Sequence, residues 1–148
     1  MNINSPGFFC ALFDDVKIPH AVWKEITNDK TKADYPKIFD FFKDKTCNIS
    51  GINELIFVMD YGESESLILY KELHADFLLI DDKKARRIAE SLNVNCIGIL
   101  GLLSIANDKG LITSLKPIFE SFLKNKRFYS IELLNAILIL KDEDVINK

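Results

Sequence analysis

Hydrophobic and polar positions predict alternating helices and short strands, most clearly across residues 62–92. Apolar residues in segment 67–75 fall mainly on one helical face, which is typical of an amphipathic helix. The next run, residues 77–80, is wholly apolar, too short for a helix, and bounded by Asp76 and Asp81. This pattern predicts a strand that is buried on both faces, as in a parallel sheet.

A second apolar run, at residues 94–99, follows a helix predicted at 83–92. The two runs and this helix predict a βαβ unit with parallel strands and a right-handed crossover. The remaining pattern predicts shorter elements before this unit and helices after it. They are a helical turn or two at 8–13, a strand at 16–19, helices at 20–26 and 36–43, an irregular segment or weak strand at 46–52, a partly helical segment at 53–61, and helices at 101–109, 115–123 and 131–140.

Composition indicates one globular domain spanning residues 1–148. With 48% hydrophobic and 28% charged residues, the chain has enough apolar side chains for a core and is not typical of a disordered protein. No apolar run approaches the roughly 20 residues of a membrane span, and the amino terminus lacks a signal-peptide pattern. The three cysteines and two histidines are scattered. They predict reduced thiols in a cytoplasm and argue against a His/Cys metal site.

The charge balance limits the kinds of nucleic-acid-binding protein that fit. A net charge of −3 argues against a protein that coats nucleic acid generally. It is compatible with a nuclease in which acidic groups hold metal and local basic groups hold phosphate. Lys83, Lys84, Arg86 and Arg87 form such a basic cluster at the start of a predicted helix. The alternative is that they form only a solvated helix face.

Separated carboxylates provide the candidate chemistry. Glu25 lies in the last turn of one predicted helix, Glu63 opens another, and Asp81 and Asp82 follow a predicted strand. In open α/β sheets, ligands bind beyond the carboxyl ends of strands. Carboxylates converging there would bind Mg²⁺ or Mn²⁺, which prefer oxygen ligands. Each acid alone is more often a surface or helix N-terminal charge, and Glu65 is assigned only that role.

Four motifs, in a fixed order, carry a resemblance to a known family. They are Ile-Pro-His-Ala-Val-Trp-Lys-Glu at 18–25, Asp-Tyr-Gly-Glu-Ser-Glu-Ser at 60–66, Leu-Leu-Ile-Asp-Asp-Lys-Lys-Ala-Arg-Arg at 78–87, and Gly-Ile-Leu-Gly-Leu-Leu at 98–103. Across roughly residues 12–140 the chain resembles the PIN-like domain, in particular a prokaryotic branch that often supplies the toxin of a toxin–antitoxin pair. The resemblance implies a three-layer α/β/α fold with a mainly parallel central sheet.

The resemblance also implies a site and an activity. Active PIN domains are metal-dependent ribonucleases, so it implies an endoribonuclease that uses Mg²⁺ or Mn²⁺. By motif position, Glu25 resembles the second acid of the PIN site, Glu63 the third, and Asp81 or Asp82 the fourth. The basic cluster of Lys83, Lys84, Arg86 and Arg87 would then contact RNA. The implied protein partner is a small antitoxin that covers the site.

The chain departs from the family pattern at its amino terminus. PIN-like chains begin with a central strand that ends in Asp, whereas no acidic residue precedes Asp14 here. Residues 2–6 resemble a remnant of that motif without its carboxylate. We therefore expect a first strand that is shortened or missing and a nuclease that is weak or inactive. The alternative function is a non-catalytic PIN-like module that binds RNA or protein.

The last predicted helix, 131–140, is more apolar than one buried stripe requires. Together with Phe119 and Phe122, its excess of apolar residues predicts a contact with a second copy of the chain or with an antitoxin.

Overall fold

The computed structural model of the protein describes residues 7–126 and 129–148. The described residues form two compact units, which meet in sequence at the Ile99–Leu100 bond. The expected remnant of a first strand, at residues 2–6, lies outside the described residues. The single-domain organisation expected from composition stays a prediction.

The first unit alternates short strands and helices, as the hydrophobic pattern predicts. Its elements are α1 (Gly7–Leu12), β1 (Ile18–Pro19), α2 (His20–Thr27), α3 (Tyr35–Phe42), β2 (Thr46–Cys47), a 3₁₀ helix (Glu54–Phe57), α4 (Tyr61–Glu72), β3 (Leu78–Leu79), α5 (Lys83–Ser91) and β4 (Cys96–Ile97). The second unit contains most of α6 (Ile99–Asp108), followed by α7 (Lys116–Lys124) and α8 (Ile131–Leu140).

The strands pair in parallel, which confirms the parallel pairing predicted for the βαβ unit, whereas its right-handed crossover stays a prediction. In β3 and β4, Leu78 lies opposite Cys96, and in β1 and β2, Ile18 lies opposite Thr46. Within the described residues these pairs form two separate two-stranded sheets. A mixed α/β fold with parallel strands is therefore present, whereas the three-layer arrangement and the shortened first strand stay predictions.

Burial of the 77–80 segment differs from the prediction of a strand covered on both faces. Leu78 and Ile80 are buried, but Phe77 and Leu79 are 54% and 45% exposed. Because side chains alternate between the faces of a strand, this pattern describes a strand with one covered face. The covered face contributes to a core formed by Met59, Leu67, Leu78, Ile80, Ala85, Ala89 and Val94.

The βαβ unit is held together by a helix cap and by an inserted arginine. The side chain of Asp82 is the N-cap of α5 and accepts a hydrogen bond from the Ala85 N–H at 2.8 Å. The guanidinium of Arg86 donates from Nη2 to the Ile80 carbonyl at 3.0 Å. It occupies the space in front of Gly98, where an added Cβ would lie 1.7 Å from Nη2. Position 98 must therefore lack a side chain for Arg86 to reach Ile80.

The second unit contains a helical core and an exposed apolar face. Phe119 and Phe122 of α7 are buried with their rings stacked, so the prediction that they contact a partner is wrong. They were assigned to a partner because periodicity identifies an apolar face without identifying what covers it. The exposed apolar side chains of α8 are Leu133, Ile139 and Leu140.

No helix in residues 7–126 or 129–148 has both the length and the apolar character needed to cross a membrane.

We predict that Gly98→Ala destabilises the protein by about 1.5–3 kcal/mol, the usual range for a hydrogen bond to a charged group. The new methyl group would force Arg86 away from the Ile80 carbonyl. Urea unfolding followed by circular dichroism would measure the loss. Gly101→Ala is the matched control, because Gly101 is exposed within α6 and alanine favours a helix. Equal stability of Gly98→Ala and the wild type would contradict this account of Arg86.

Candidate acidic cleft

The first turn of α4 is organised by a reciprocal cap between two acids. Asp60 is the N-cap, and its Oδ1 accepts a hydrogen bond from the Glu63 N–H at 2.8 Å. The Glu63 carboxylate in turn accepts a hydrogen bond from the backbone of Asp60. An acceptor at the N-cap and a glutamate three residues later form the capping-box arrangement, and both charges suit the positive end of the helix. Local helix chemistry therefore places two carboxylates side by side.

Glu25 reaches the same turn from α2. A Cβ added to Gly62 would lie 2.5 Å from Glu25 Oε1 and 3.0 Å from its Oε2. The Glu25 carboxylate thus lies against the backbone of α4, one residue from Glu63, in space that only a glycine leaves open.

Asp82 and Asp81 have different positions although they are adjacent in sequence. Asp82 lines an open cleft of about 280 Å³ together with Asp60 and Glu63. Asp81 Oδ1 instead accepts a hydrogen bond from the Ile99 N–H at 3.3 Å. The remaining residues that line the cleft are Phe57, Val58, Met59, Lys84 and Ala85.

Burial and neighbouring negative charges alter the acidity of this group. Burial is the main cause that raises the pKa of Glu63 above its ordinary value, and the charges of Asp60 and Asp82 raise it further. The pKa of Glu25 is also raised, first by burial and then by the charge of Asp60. Like charges that approach in a partly desolvated place disfavour ionisation in this way. These carboxylates therefore interact electrostatically even though they come from different elements.

The oxygen ligands of the acidic cleft suit a divalent cation, but their arrangement in the structure does not form a metal site. Carboxylate oxygens are the ligands that Mg²⁺ and Mn²⁺ prefer, and a cation would relieve the repulsion around Glu63. Within the part of the chain that the structure describes, however, no group of three or more His, Cys, Asp or Glu side chains is placed to hold a metal ion. The acids are close enough to interact electrostatically, but they do not form a complete coordination shell.

The predicted basic cluster divides into side chains with different surroundings. Lys84 lines the cleft, and Lys83 and Arg87 are exposed to solvent. Arg86 is half-buried and bound to the Ile80 carbonyl, and its buried Nε has no hydrogen-bond partner among the described residues. Arg86 thus serves the βαβ unit, and Lys84 is the member of the basic cluster that lines the cleft.

Two acids have roles that the sequence analysis missed. Glu65 is only 6% exposed, and its Oε2 accepts a hydrogen bond from the Ala21 N–H at 2.9 Å. Its assignment as a surface or helix N-terminal charge is therefore wrong. The Tyr61 hydroxyl also binds Glu65, which raises the pKa of Tyr61. Asp60 was not proposed as a site residue, although its spacing from Glu63 is the sequence signal of a capping box.

Comparison with known protein families identifies the family of this chain. A family model described as a PIN domain matches residues 2–143, nearly the whole sequence. The chain belongs to the PIN domain family. This confirms the resemblance, and with it a nuclease-like fold of a family that generally uses divalent metals. No curated protein and no solved structure matched this PIN domain.

We predict that Glu63→Gln becomes stabilising, relative to the wild type, as the pH rises. The pKa of Glu63 is higher in the folded protein, so its favourable contribution is complete below the unfolded pKa and is lost as pH rises through the folded pKa. Without metal, the stability of the variant relative to the wild type should therefore increase between pH 4 and pH 7. The increase should be less than about 1 kcal/mol, because the Glu63 carboxylate is partly solvated.

Thermal unfolding at both pH values, in EDTA, would measure this change. Glu90→Gln, at an exposed position late in α5, is the control for losing a negative charge. A Glu63→Gln variant that loses stability relative to the wild type as pH rises would contradict the sign of the effect.

Proposed function

We propose that this PIN domain is a cytoplasmic endoribonuclease of toxin type that uses Mg²⁺ or Mn²⁺ in the acidic cleft. The observation that carries the proposal is the set of interacting carboxylates from three helix ends, beside a lysine, in a chain of this family. Excess negative charge suits a divalent cation, and the lysine suits the phosphate of a nucleic acid.

The residues have distinct roles in this proposal. Glu63 and Asp82 would hold the cation, with Glu25 and Asp60 supplying further negative charge. A bound divalent ion would provide a water molecule of lowered pKa and would stabilise charge that develops on the phosphate. Lys84 would orient the phosphate through its positive charge. Asp60 and Asp82 each accept an N-cap hydrogen bond at Oδ1. These hydrogen bonds limit the motion of the two side chains, which favours a preorganised site.

Asp81 stays in the proposal as a second-choice ligand. It is adjacent to Asp82 but bound to the Ile99 N–H, so a role at the metal would require it to give up that hydrogen bond. The structural difference favours Asp82 as the fourth acid of the family pattern.

We propose slow cleavage by the 148-residue chain itself. The family pattern includes an acid at the end of an initial strand, and residues 1–13 contain none. Fewer negative ligands bind a divalent ion more weakly and orient it less well.

A non-catalytic PIN-like module that binds RNA or protein is the second candidate function. It is favoured by one observation, the lack of a three-ligand group among the described side chains. In both functions, we propose RNA as the ligand and a small antitoxin as the protein partner. The exposed apolar side chains of α8, Leu133, Ile139 and Leu140, are the surface we propose for the antitoxin or for a homodimer.

We predict that Gly62→Ala weakens Mn²⁺ binding by about tenfold or more, within the range for losing a residue that supports a metal site. Its methyl group would displace the Glu25 carboxylate, the flexible end of a side chain. The fold should keep its stability or gain up to about 1 kcal/mol, because alanine favours a helix over glycine. Calorimetric titration with Mn²⁺ and urea unfolding would measure both effects. Unchanged Mn²⁺ affinity would argue against Glu25 at the site.

The activity itself is tested by incubating labelled single-stranded RNA with excess Mn²⁺. We expect slow cleavage by the wild type, none by Glu63→Gln, and faster cleavage when an amino-terminal strand ending in Asp is added. Cleavage that survives Glu63→Gln would identify a contaminating nuclease. Robust wild-type cleavage that Glu63→Gln abolishes would show that the first acid is dispensable. Inactivity of the extended chain, with Mn²⁺ bound, would favour the non-catalytic module.

A further inference from the structure

The 3₁₀ helix Glu54–Phe57 ends in an exposed phenylalanine that is among the residues lining the acidic cleft. Phe57 is 90% exposed, yet it lines the same cleft as Glu63, Asp82 and Lys84. A solvent-exposed phenylalanine side chain does not contribute to stability the free energy that its burial would give. A role in packing does not account for this side chain, so a ligand of the cleft is the explanation to test.

The backbone on both sides of Phe57 is anchored. Leu55 packs against the hydrophobic core, and Met59 is buried within it. The N–H groups of Val58 and Met59 donate hydrogen bonds to the Leu55 carbonyl at 3.0 Å and 2.9 Å. Phe57 is therefore carried by a hydrogen-bonded turn between the partly buried Leu55 and the buried Met59. A ligand that contacts its ring would not need to order the segment that holds it, which reduces the entropic cost of binding.

The chemistry around Phe57 selects the kind of ligand. Lys84 offers a cation for a phosphate, the acids offer a place for a divalent ion, and the ring of Phe57 offers a flat apolar face. A nucleotide combines an anionic phosphate with a flat base, and bases of single-stranded RNA stack on exposed aromatic side chains. The volume of about 280 Å³ is at the small end for ligand pockets. It suits one residue of a polymer rather than a large ligand.

We propose that Phe57 is a stacking platform for an unpaired base of single-stranded RNA, positioned next to the phosphate at Lys84. This inference rests on the proposed function and adds to it the residue that would hold one base of the RNA. In a duplex, both faces of each base are covered by neighbouring bases, so the ring of Phe57 has no partner there. The platform tolerates different bases, because each base has a flat face.

Binding can be tested separately from cleavage. Fluorescence anisotropy would compare a labelled oligouridine, a fully abasic ribose-phosphate oligomer of equal length, and an RNA duplex, each in Mg²⁺ and again in EDTA. The proteins would be the wild type, Phe57→Ala, Phe57→Trp and Ile52→Ala. Ile52 is the matched control, because it is also an exposed apolar side chain, 87% exposed, and is not among the residues that line the cleft.

We expect Phe57→Ala to bind oligouridine about 5- to 150-fold more weakly, the range for losing one base stack. Phe57→Trp should bind as tightly as the wild type, with indole fluorescence that oligouridine quenches. Ile52→Ala should stay within about twofold, because the stacking contribution belongs to Phe57 alone. The abasic oligomer should bind the wild type and Phe57→Ala equally, because it has no base to stack. The duplex should likewise show no effect of Phe57→Ala.

Three outcomes would overturn the inference. The first is equal oligouridine binding by the wild type and Phe57→Ala. The second is an equal loss with the abasic oligomer, which would show that stacking is not the cause. The third is a wild type that binds no oligonucleotide, with self-association that Phe57→Ala abolishes, which would assign Phe57 to a protein interface. Binding that depends on Phe57 without cleavage by the extended chain would keep this inference and reject the nuclease.

Discussion

The hydrogen bond between Glu65 and the Ala21 N–H connects α4, which supplies Glu63 to the acidic cleft, with α2, which carries the neighbouring Glu25. A buried carboxylate costs free energy unless hydrogen bonds satisfy it, and Glu65 has bonds from the start of α2 and from the Tyr61 hydroxyl. Since Ala21 and Glu25 are one helical turn apart in α2, fixing Ala21 against α4 also fixes where Glu25 can lie. The close approach of Glu25 to Gly62 follows from that connection.

The cleft concentrates negative charge that the protein alone does not neutralise. Helix N-termini partly compensate Asp60, Glu63 and Asp82 through cap hydrogen bonds and the helix dipole. Burial, and then the neighbouring negative charges, nevertheless raise the pKa values of Glu25 and Glu63. Functional sites commonly keep such unfavourable arrangements because a ligand relieves them. A divalent cation is the ligand proposed here, because its charge and its preference for oxygen donors suit the chemistry of these carboxylates.

Sequence predicted the local elements well because they follow from periodicity. The 83–92 helix, the parallel pairing of its flanking strands, and the helix at Ile131–Leu140 are all present. Properties that depend on tertiary contacts could not be predicted from periodicity. The buried role of Glu65 requires knowing that α2 begins beside α4, and the choice between Asp81 and Asp82 depends on which backbone N–H each one meets. Phe119 was placed at an interface because its amphipathic pattern is the same whether its own chain or a partner covers it.

The central claim is that carboxylates from separate elements share one electrostatic site for a divalent cation. The most direct test is an NMR pH titration of the side-chain carboxyl carbons of Glu25 and Glu63, without metal and with excess Mg²⁺. The account predicts pKa values above the ordinary glutamate value without metal, and a decrease of both when Mg²⁺ is present. Ordinary pKa values in both samples, unaffected by Mg²⁺, would contradict it.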